Sequence, residues 1–140
     1  MQIFTLDTSV DVPVQVKVRP EQSHPPVPLP VEEAAEKGKL WHVLAWVDET
    51  ENQCGVYCKR MGISIQRSAI TDASIEVMRP AKGQGWVSLS VRCSNVRGRI
   101  ALLESPYFSE RALTWLIDRS EQFEALLGMK IPVQELGTDY

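Results

Sequence analysis

Short apolar runs separated by turn residues fill the first hundred positions of the chain. In the clearest run, residues 86–93, the apolar side chains Val87, Leu89, Val91 and Cys93 alternate with Trp86, Ser88, Ser90 and Arg92. A period of two is typical of a β-strand that buries one face, so Trp86 and Arg92 are predicted to share the opposite face. Similar runs predict strands at residues 2–6, 12–18, 40–47, 55–61, 63–66, 74–78 and 99–103, and an edge strand at 131–135.

Two turn-rich stretches predict hairpins. Residues 80–85 include a proline and two glycines and lie between the strands at 74–78 and 86–93. The polar residues 48–52 lie between the strand at 40–47 and the segment 53–60. Because short connections join neighbouring antiparallel strands, each pair is expected to be adjacent in the sheet.

The carboxyl-terminal part of the chain changes to a helical period. After Ser109, a good N-cap residue, the apolar positions 112, 113, 116, 117, 123, 126 and 127 gather on one side, and Gly128 follows. One helix over residues 110–127 would be about 27 Å long, enough to cross a sheet. A shorter helix is predicted at residues 31–37, which carry acids first and Lys37 last.

Residues 20–30 contain five prolines. Because proline lacks an amide donor and has a restricted φ, neither a helix nor a sheet ladder is expected to run through this segment. It is predicted to be a stiff, extended connection inside the domain. The spacing of Pro25 and Pro28 also fits a polyproline ligand, although most such runs are spacers.

Together these elements predict the α+β class. We expect a mostly antiparallel sheet, open or barrel-like, with a long C-terminal amphipathic helix packed on it. The chain has 140 residues, 44% of them hydrophobic, which is typical of one globular unit. Residues 1–140 are therefore predicted to form a single domain.

Composition also indicates a compartment. Residues 1–18 contain two aspartates and lack the apolar core of a signal peptide. The longest mainly apolar stretch, residues 40–47, is far shorter than the ~20 residues that cross a bilayer, so no membrane partner is expected. Three cysteines cannot all pair within one chain, and we expect a cytoplasmic protein that keeps them reduced.

Charge is sorted along the chain although the net charge is only −3. Residues 54–100 hold eight basic and two acidic side chains. Residues 1–53 hold four basic and nine acidic ones, and residues 101–140 hold three and seven. Such sorting indicates a charged partner rather than a particular fold.

The cysteines and histidines do not predict a metal site or a cofactor. In a strand at residues 55–61, Cys54 and Cys58 would lie roughly 13 Å apart, whereas ligands of one zinc ion lie within about 4 Å of each other. His42 would face the opposite side, so we interpret the thiols as small buried side chains. His24 lies in the proline-rich segment, a poor place for a catalytic base, and the chain has no nucleophile elbow, zincin motif or P-loop.

The stretch Lys82-Gly83-Gln84-Gly85 has two interpretations. Glycine-rich turns can bring backbone amides close to a phosphate, as in anion-binding nests. Because no helix follows to add its dipole, the simple hairpin turn is the favoured interpretation.

The candidate site is a basic cluster on the predicted sheet. Guanidinium groups suit phosphates and carboxylates, and an indole ring can stack on a base. The central members are Arg92, Arg97, Arg99 and Trp86, and the wider anion- or partner-binding set adds Lys59, Arg60, Arg67 and Lys82. Exposed basic residues also flank strands simply to discourage edge pairing.

The favoured function is a non-enzymatic binding or adaptor module whose arginine-bearing β surface engages an acidic protein or a second copy of itself. The pI near 5.4 favours a protein partner, because nucleic-acid-binding domains usually carry a net basic charge. Binding of nucleic acid or a nucleotide phosphate by the same surface is the first alternative. A small hydrolase or transferase with an unrecognised site is the second.

Overall fold

The computed structural model describes residues 1–139, which form two four-stranded sheets and three helices. The elements in chain order are β1 (Gln2–Asp7), α1 (Leu29–Gly38), β2 (Val43–Asp48), β3 (Gln53–Cys58), β4 (Met61–Gln66), β5 (Ile70–Arg79), β6 (Trp86–Cys93), β7 (Arg99–Ser105), α2 (Glu110–Asp118), α3 (Ser120–Leu127) and β8 (Val133–Thr138). A 3-10 turn at Arg67–Ala69 lies between β4 and β5.

The first sheet is an antiparallel meander in the order β1-β2-β3-β4. Its tightest turn consists of Lys59 and Arg60, whose φ angles of 52° and 67° are those of a two-residue hairpin loop. In the register, Val56 lies opposite both Ala45 and Ile63, so apolar side chains meet across one face of the sheet.

The second sheet has the order β7-β6-β5-β8. Strands β5, β6 and β7 are antiparallel neighbours, whereas β8 pairs with β5 in parallel at the sheet edge. A parallel partner needs a long crossover connection, and α2 and α3 provide that connection between β7 and β8.

One apolar core joins the inner faces of both sheets. Val56 from the first sheet and Ile75 and Leu89 from the second belong to the same buried cluster. Helix α2 packs mainly on β5 and β6 and contributes Leu116, whereas α3 packs on β2 and β3 and contributes Phe123. Both sheets therefore turn their other faces away from this shared core.

Helix α1 covers the outer face of the first sheet. Val31 and Ala35 are fully buried there against Leu44, Trp46 and Tyr57. The helix predicted at residues 31–37 is confirmed and starts two residues earlier, with Pro30 in its first turn, where a missing amide costs little.

The α+β class is confirmed, but the barrel-like arrangement is not. The predicted sheet is two separate sheets, and no closed barrel forms within residues 1–139. Both predicted hairpins are present, since β2 pairs with β3 and β5 pairs with β6. The predicted edge strand near the carboxyl terminus is also present as β8, at the edge of the second sheet.

The single helix predicted at residues 110–127 is interrupted at Arg119, so the prediction of one long C-terminal helix is not confirmed. Residues 118–122 contain no apolar side chain, and the two flanking helices pack on different sheets. The helix ends agree with the prediction, because Ser109 Oγ accepts a hydrogen bond from the Ala112 amide and Gly128 adopts a left-handed conformation.

Two segments between β1 and α1 form neither a helix nor a complete strand. The strand predicted at residues 12–18 is reduced to one bridge, in which Gln15 and Glu104 exchange backbone hydrogen bonds of 2.9 Å. Residues 20–28, most of the proline-rich segment, lie outside helices and strands.

None of the helices within residues 1–139 is long and apolar enough to span a membrane.

Candidate functional site

The outer face of the second sheet is polar although much of it is buried. Its side chains come from alternate strand positions, and five of these polar residues are buried: Ser74, Glu76, Ser88, Ser90 and Glu104. Buried polar groups cost free energy unless they are hydrogen-bonded. This face therefore has to satisfy its own donors and acceptors.

Arg99 supplies the donors at the centre of this face. Its Nη1 lies 3.0 Å from Glu76 Oε1 and 3.4 Å from the Oγ atoms of Ser88 and Ser90, which are 2.7 Å apart. The guanidinium also lies 5.7 Å from the centre of the Trp86 ring, within cation-π range. Arg99 is thus held by a carboxylate, two hydroxyls and an aromatic ring.

A second arginine, Arg19, is held at the edge of the same face. Its Nη2 lies 3.0 Å from Glu104 Oε2. The Glu104 backbone is bridged to Gln15, and Gln22 Nε2 donates a 2.8 Å hydrogen bond to the carbonyl of Arg99. These contacts hold residues 15–22 along β7, where they cover part of an otherwise open strand edge.

A groove of about 190 Å³ lies over this network. We call it the arginine groove, and it is lined among others by Asp72, Glu76, Arg92, Arg99, Gln134 and Leu136. The lining combines two guanidiniums, two carboxylates and an amide. Its chemistry suits a polar ligand that carries both acceptors and donors.

Two exposed arginines, Arg92 and Arg97, lie at the end of the second sheet where β6 leads into β7. Arg92 lies directly opposite Arg99 in the β6–β7 ladder, and Arg97 lies in the turn that joins the two strands. Within residues 1–139, neither side chain forms an ion pair or a hydrogen bond with another residue. Both guanidiniums are therefore open to an external acceptor.

Trp86 and Arg92 do share one face, as the alternation predicts. They occupy opposite ends of β6, however, about 20 Å apart at the usual rise per residue. The arginine that reaches Trp86 is Arg99, whose side chain extends back along the sheet past Ser90 and Ser88.

The remaining predicted site residues lie away from Arg92 and Arg97. Lys59 and Arg60 form the exposed turn between β3 and β4 in the first sheet, and Lys82 is exposed in the turn between β5 and β6, at the far end of the second sheet. The basic middle of the sequence is thus divided among separate places on the surface.

Arg67 binds backbone carbonyls rather than a carboxylate. Its Nε and Nη2 donate to the carbonyls of Leu126 and Ala125, at 3.0 and 3.3 Å. These carbonyls end α3, where a cation also interacts favourably with the helix dipole. The geometry makes Arg67 a cap for α3.

The three cysteines are buried and free, which confirms their interpretation as small core side chains. Burial raises the pKa of Cys54 to about 12, although Arg67 opposes the shift, and raises the pKa of Cys58 to about 11. Since the thiolate is the reactive form, the raised pKa disfavours the reactive form of both groups at neutral pH.

Sequence reasoning missed the acidic members of the network. Glu76 lies in β5 and binds Arg99 of β7, and Glu104 lies in β7 and binds Arg19, which is outside the helices and strands, so nothing local pairs them. The signal that was present is the serine pair at positions 88 and 90 on the same face as Arg92, since small hydroxyls on a buried strand face indicate a polar partner.

Comparisons with protein families, with curated proteins and with solved structures found no match to this chain.

Proposed function

We propose that this protein is a non-enzymatic binding module that engages an acidic protein surface through Arg92, which lines the arginine groove, and Arg97, which lies in the turn after β6. The proposal rests on a difference in ion pairing between arginines at the outer face of the second sheet. Arg19 and Arg99 are held by carboxylates, whereas Arg92 and Arg97 are exposed and make no ion pair within residues 1–139.

The held arginines give the surface its rigidity. Arg99 is fixed by three side chains and an aromatic ring, so the floor of the groove does not have to be ordered when a partner binds. A preorganised surface loses less conformational entropy on association.

The lining of the groove favours a polypeptide over a nucleic acid. Asp72 and Glu76 lie in the same groove as Arg92 and Arg99. Two carboxylates would repel a phosphate backbone, whereas a peptide can present carboxylates to the arginines and amide donors to the acids.

An acidic synthetic peptide rich in Asp and Glu tests this proposal by NMR titration of the isotope-labelled protein. We expect shifts of the Arg92, Arg97 and Gln134 amides that weaken as salt is added. The double variant R92E/R97E should bind at least about tenfold more weakly. The matched control K59E/R60E, with the same charge change on the first sheet, should bind as the unaltered protein does.

Two results would contradict the proposal. Equal loss of binding in both double variants would mean that only net charge matters. Preferential binding of an oligonucleotide over the peptide, abolished by R92E/R97E, would instead support the nucleic-acid alternative.

A second copy of the chain is a specific candidate for the acidic partner. Helix α1 exposes Glu32, Glu33 and Glu36 on the outer side of the first sheet, and Arg92 and Arg97 lie at the outer face of the second sheet. Opposite charges on two different faces fit head-to-tail association, in which one copy's helix meets another copy's arginines.

We also propose a cytoplasmic location. Its support is the state of the cysteines, which are three buried thiols without a disulfide in the described chain. A reducing compartment keeps such thiols free.

A further inference from the structure

The turn between β5 and β6 holds a carboxylate through its backbone. Asp139 Oδ1 accepts hydrogen bonds from the amides of Ala81 and Gly83 at 2.7 and 3.2 Å, and Asp139 Oδ2 accepts one from the Gly85 amide at 2.6 Å. We call these three amides the amide nest. Alternate N–H groups that point at one anion are the arrangement found in anion-binding turns.

The two glycines are required by this geometry. A Cβ at Gly83 would overlap the Asp139 carboxylate, and Gly85 has a φ of 68° with the Met78 carbonyl where its Cβ would be. A larger side chain at position 83 would thus close the nest, and one at position 85 would distort it.

The turn is also supported from outside. The Phe108 amide donates a 2.9 Å hydrogen bond to the Gln84 carbonyl, and β5 and β6 pair up to Met78 and Trp86. The shape of the nest therefore has supports other than Asp139.

Electrostatics favour an anion in the nest. Desolvation alone would raise the pKa of Asp139, but the amides of Gly85, Ala81 and Gly83 outweigh it and lower that pKa. Lys82 is exposed in the same turn and adds a positive charge nearby. The nest thus selects the charged form of its occupant.

Asp139 directly follows β8, a largely exposed edge strand. A carboxylate on such a strand is a tethered ligand, and a tethered ligand competes with free ones at an effective concentration set by its connection. An external anion can replace it if it binds the same three amides.

We propose that the amide nest is an oxyanion-binding site for a carboxylate or phosphate group of an external ligand, with Asp139 as its intramolecular competitor. This site is separate from the surface of the proposed function, because it lies at the opposite end of β6 from Arg92. Other glycine-rich turns bind phosphate through their backbone amides, and the proposal assigns an anion-binding role of this kind to the turn between β5 and β6.

The test is an NMR titration of the full-length, isotope-labelled protein with sodium phosphate and, separately, with sodium acetate. Replacing Asp139 with alanine (D139A) should make the Gly83 and Gly85 amides respond at about tenfold lower anion concentration, because the site is no longer occupied. The control D118A removes one exposed carboxylate elsewhere and should respond as the unaltered protein does. The anion that binds more tightly identifies the group.

A second substitution separates the nest from general charge effects. Adding Gly83→Ala to D139A should abolish the response, because the new methyl group occupies the anion position. No response of Gly83 and Gly85 in D139A, with the resonances of β5 and β6 unchanged, would overturn the proposal. An equal response to sodium chloride at the same ionic strength would do so as well.

The unaltered protein provides the test if D139A disorders the turn. Phosphate or acetate at high concentration should then shift the Gly83 and Gly85 amides together with the Asp139 amide, as the tether leaves. Shifts that are absent from all three would overturn the proposal.

Discussion

At the scale of single residues, neighbours decide what an arginine does in this protein. Arg92 and Arg99 lie opposite each other in one ladder, yet Arg99 is bound by Glu76 and two serines while Arg92 is exposed. Arg67 has a third role, since it caps α3. The same side chain thus binds within the sheet, caps a helix or remains exposed, according to the acceptors within its reach.

This difference predicts that the same substitution lowers the free energy of unfolding by different amounts at the two positions. Arg99→Met removes the partner of Glu76, whose side chain is only 11% exposed, and should lower the free energy of unfolding by about 2 kcal/mol. Arg92→Met should change it by less than about 0.5 kcal/mol. Urea unfolding of both variants measures the contrast, and equal destabilisation would show that the Arg99 network adds no more to stability than the exposed Arg92 does.

At the scale of elements, one partly buried carboxylate ties the first strand to both C-terminal helices. Asp7 in β1 accepts hydrogen bonds from Trp115 Nε1 at 2.7 Å and from Arg119 Nη2 at 3.1 Å. Arg119, the residue between α2 and α3, also donates to the carbonyls of Leu6 and Trp115. The helix interruption is therefore held by specific contacts with β1.

These contacts predict a pH dependence with a definite sign. Desolvation would raise the pKa of Asp7, but hydrogen bonds from Trp115 and Ser9 and the charge of Arg119 outweigh it, so the folded-state pKa is lowered. The stabilisation is complete above the unfolded-state pKa of about 3.9 and is lost as the pH falls through the folded-state value, because the unfolded chain takes up the proton first.

Asp7→Asn should therefore lower the free energy of unfolding at neutral pH by about 1 to 3 kcal/mol. Its stability should also fall less than that of the unaltered protein on acidification below pH ~4. Urea midpoints measured across this range test both effects. Asp11→Asn, which disrupts the exposed Asp11–Arg111 pair, is the control and should change stability by less than about 1 kcal/mol.

At the scale of the whole molecule, the sorted charge of the sequence becomes a difference between two outer layers. Acidic Glu32, Glu33 and Glu36 lie on α1 over the first sheet, and the exposed Arg92 and Arg97 lie at the second. The other basic residues of the middle segment are distributed elsewhere or paired with acids. The long-range asymmetry therefore rests on fewer charges than the sequence contains.

Head-to-tail association predicts a mass that depends on salt. Light scattering after size exclusion should give a mass above 15.8 kDa that rises with concentration at low salt and returns to the monomer value at about 0.5 M. R92E/R97E and E32K/E36K should each be monomeric, and an equimolar mixture of the two should associate again. A monomer under every condition would exclude the second copy as the partner.

Local signals predicted much of the secondary structure. The bounds of β6, the presence of α1, the hairpin turns and the caps at Ser109 and Gly128 all follow from neighbouring residues, because side-chain periodicity and turn chemistry act over a few positions. The long helix was not found as predicted, since the period continues across residues 118–122 although the two halves pack on different sheets.

The candidate site was predicted only as a region. Its strand face and basic side chains follow from the alternation in β6, but the ion pairs of Arg99 and Arg19 join residues 23 and 85 positions apart in the chain. Such pairs leave no periodic trace, so the free and the held arginines cannot be told apart in a single sequence.

By itself the sequence determined the α+β class, the strand and helix types and the uneven distribution of charge, because these depend on the composition and order of nearby residues. Only the tertiary structure decided that there are two sheets, that β8 pairs in parallel with β5 and that Asp139 occupies the amide nest. Each of these depends on which distant segments meet, and that is set by the packing of one shared core rather than by any local pattern.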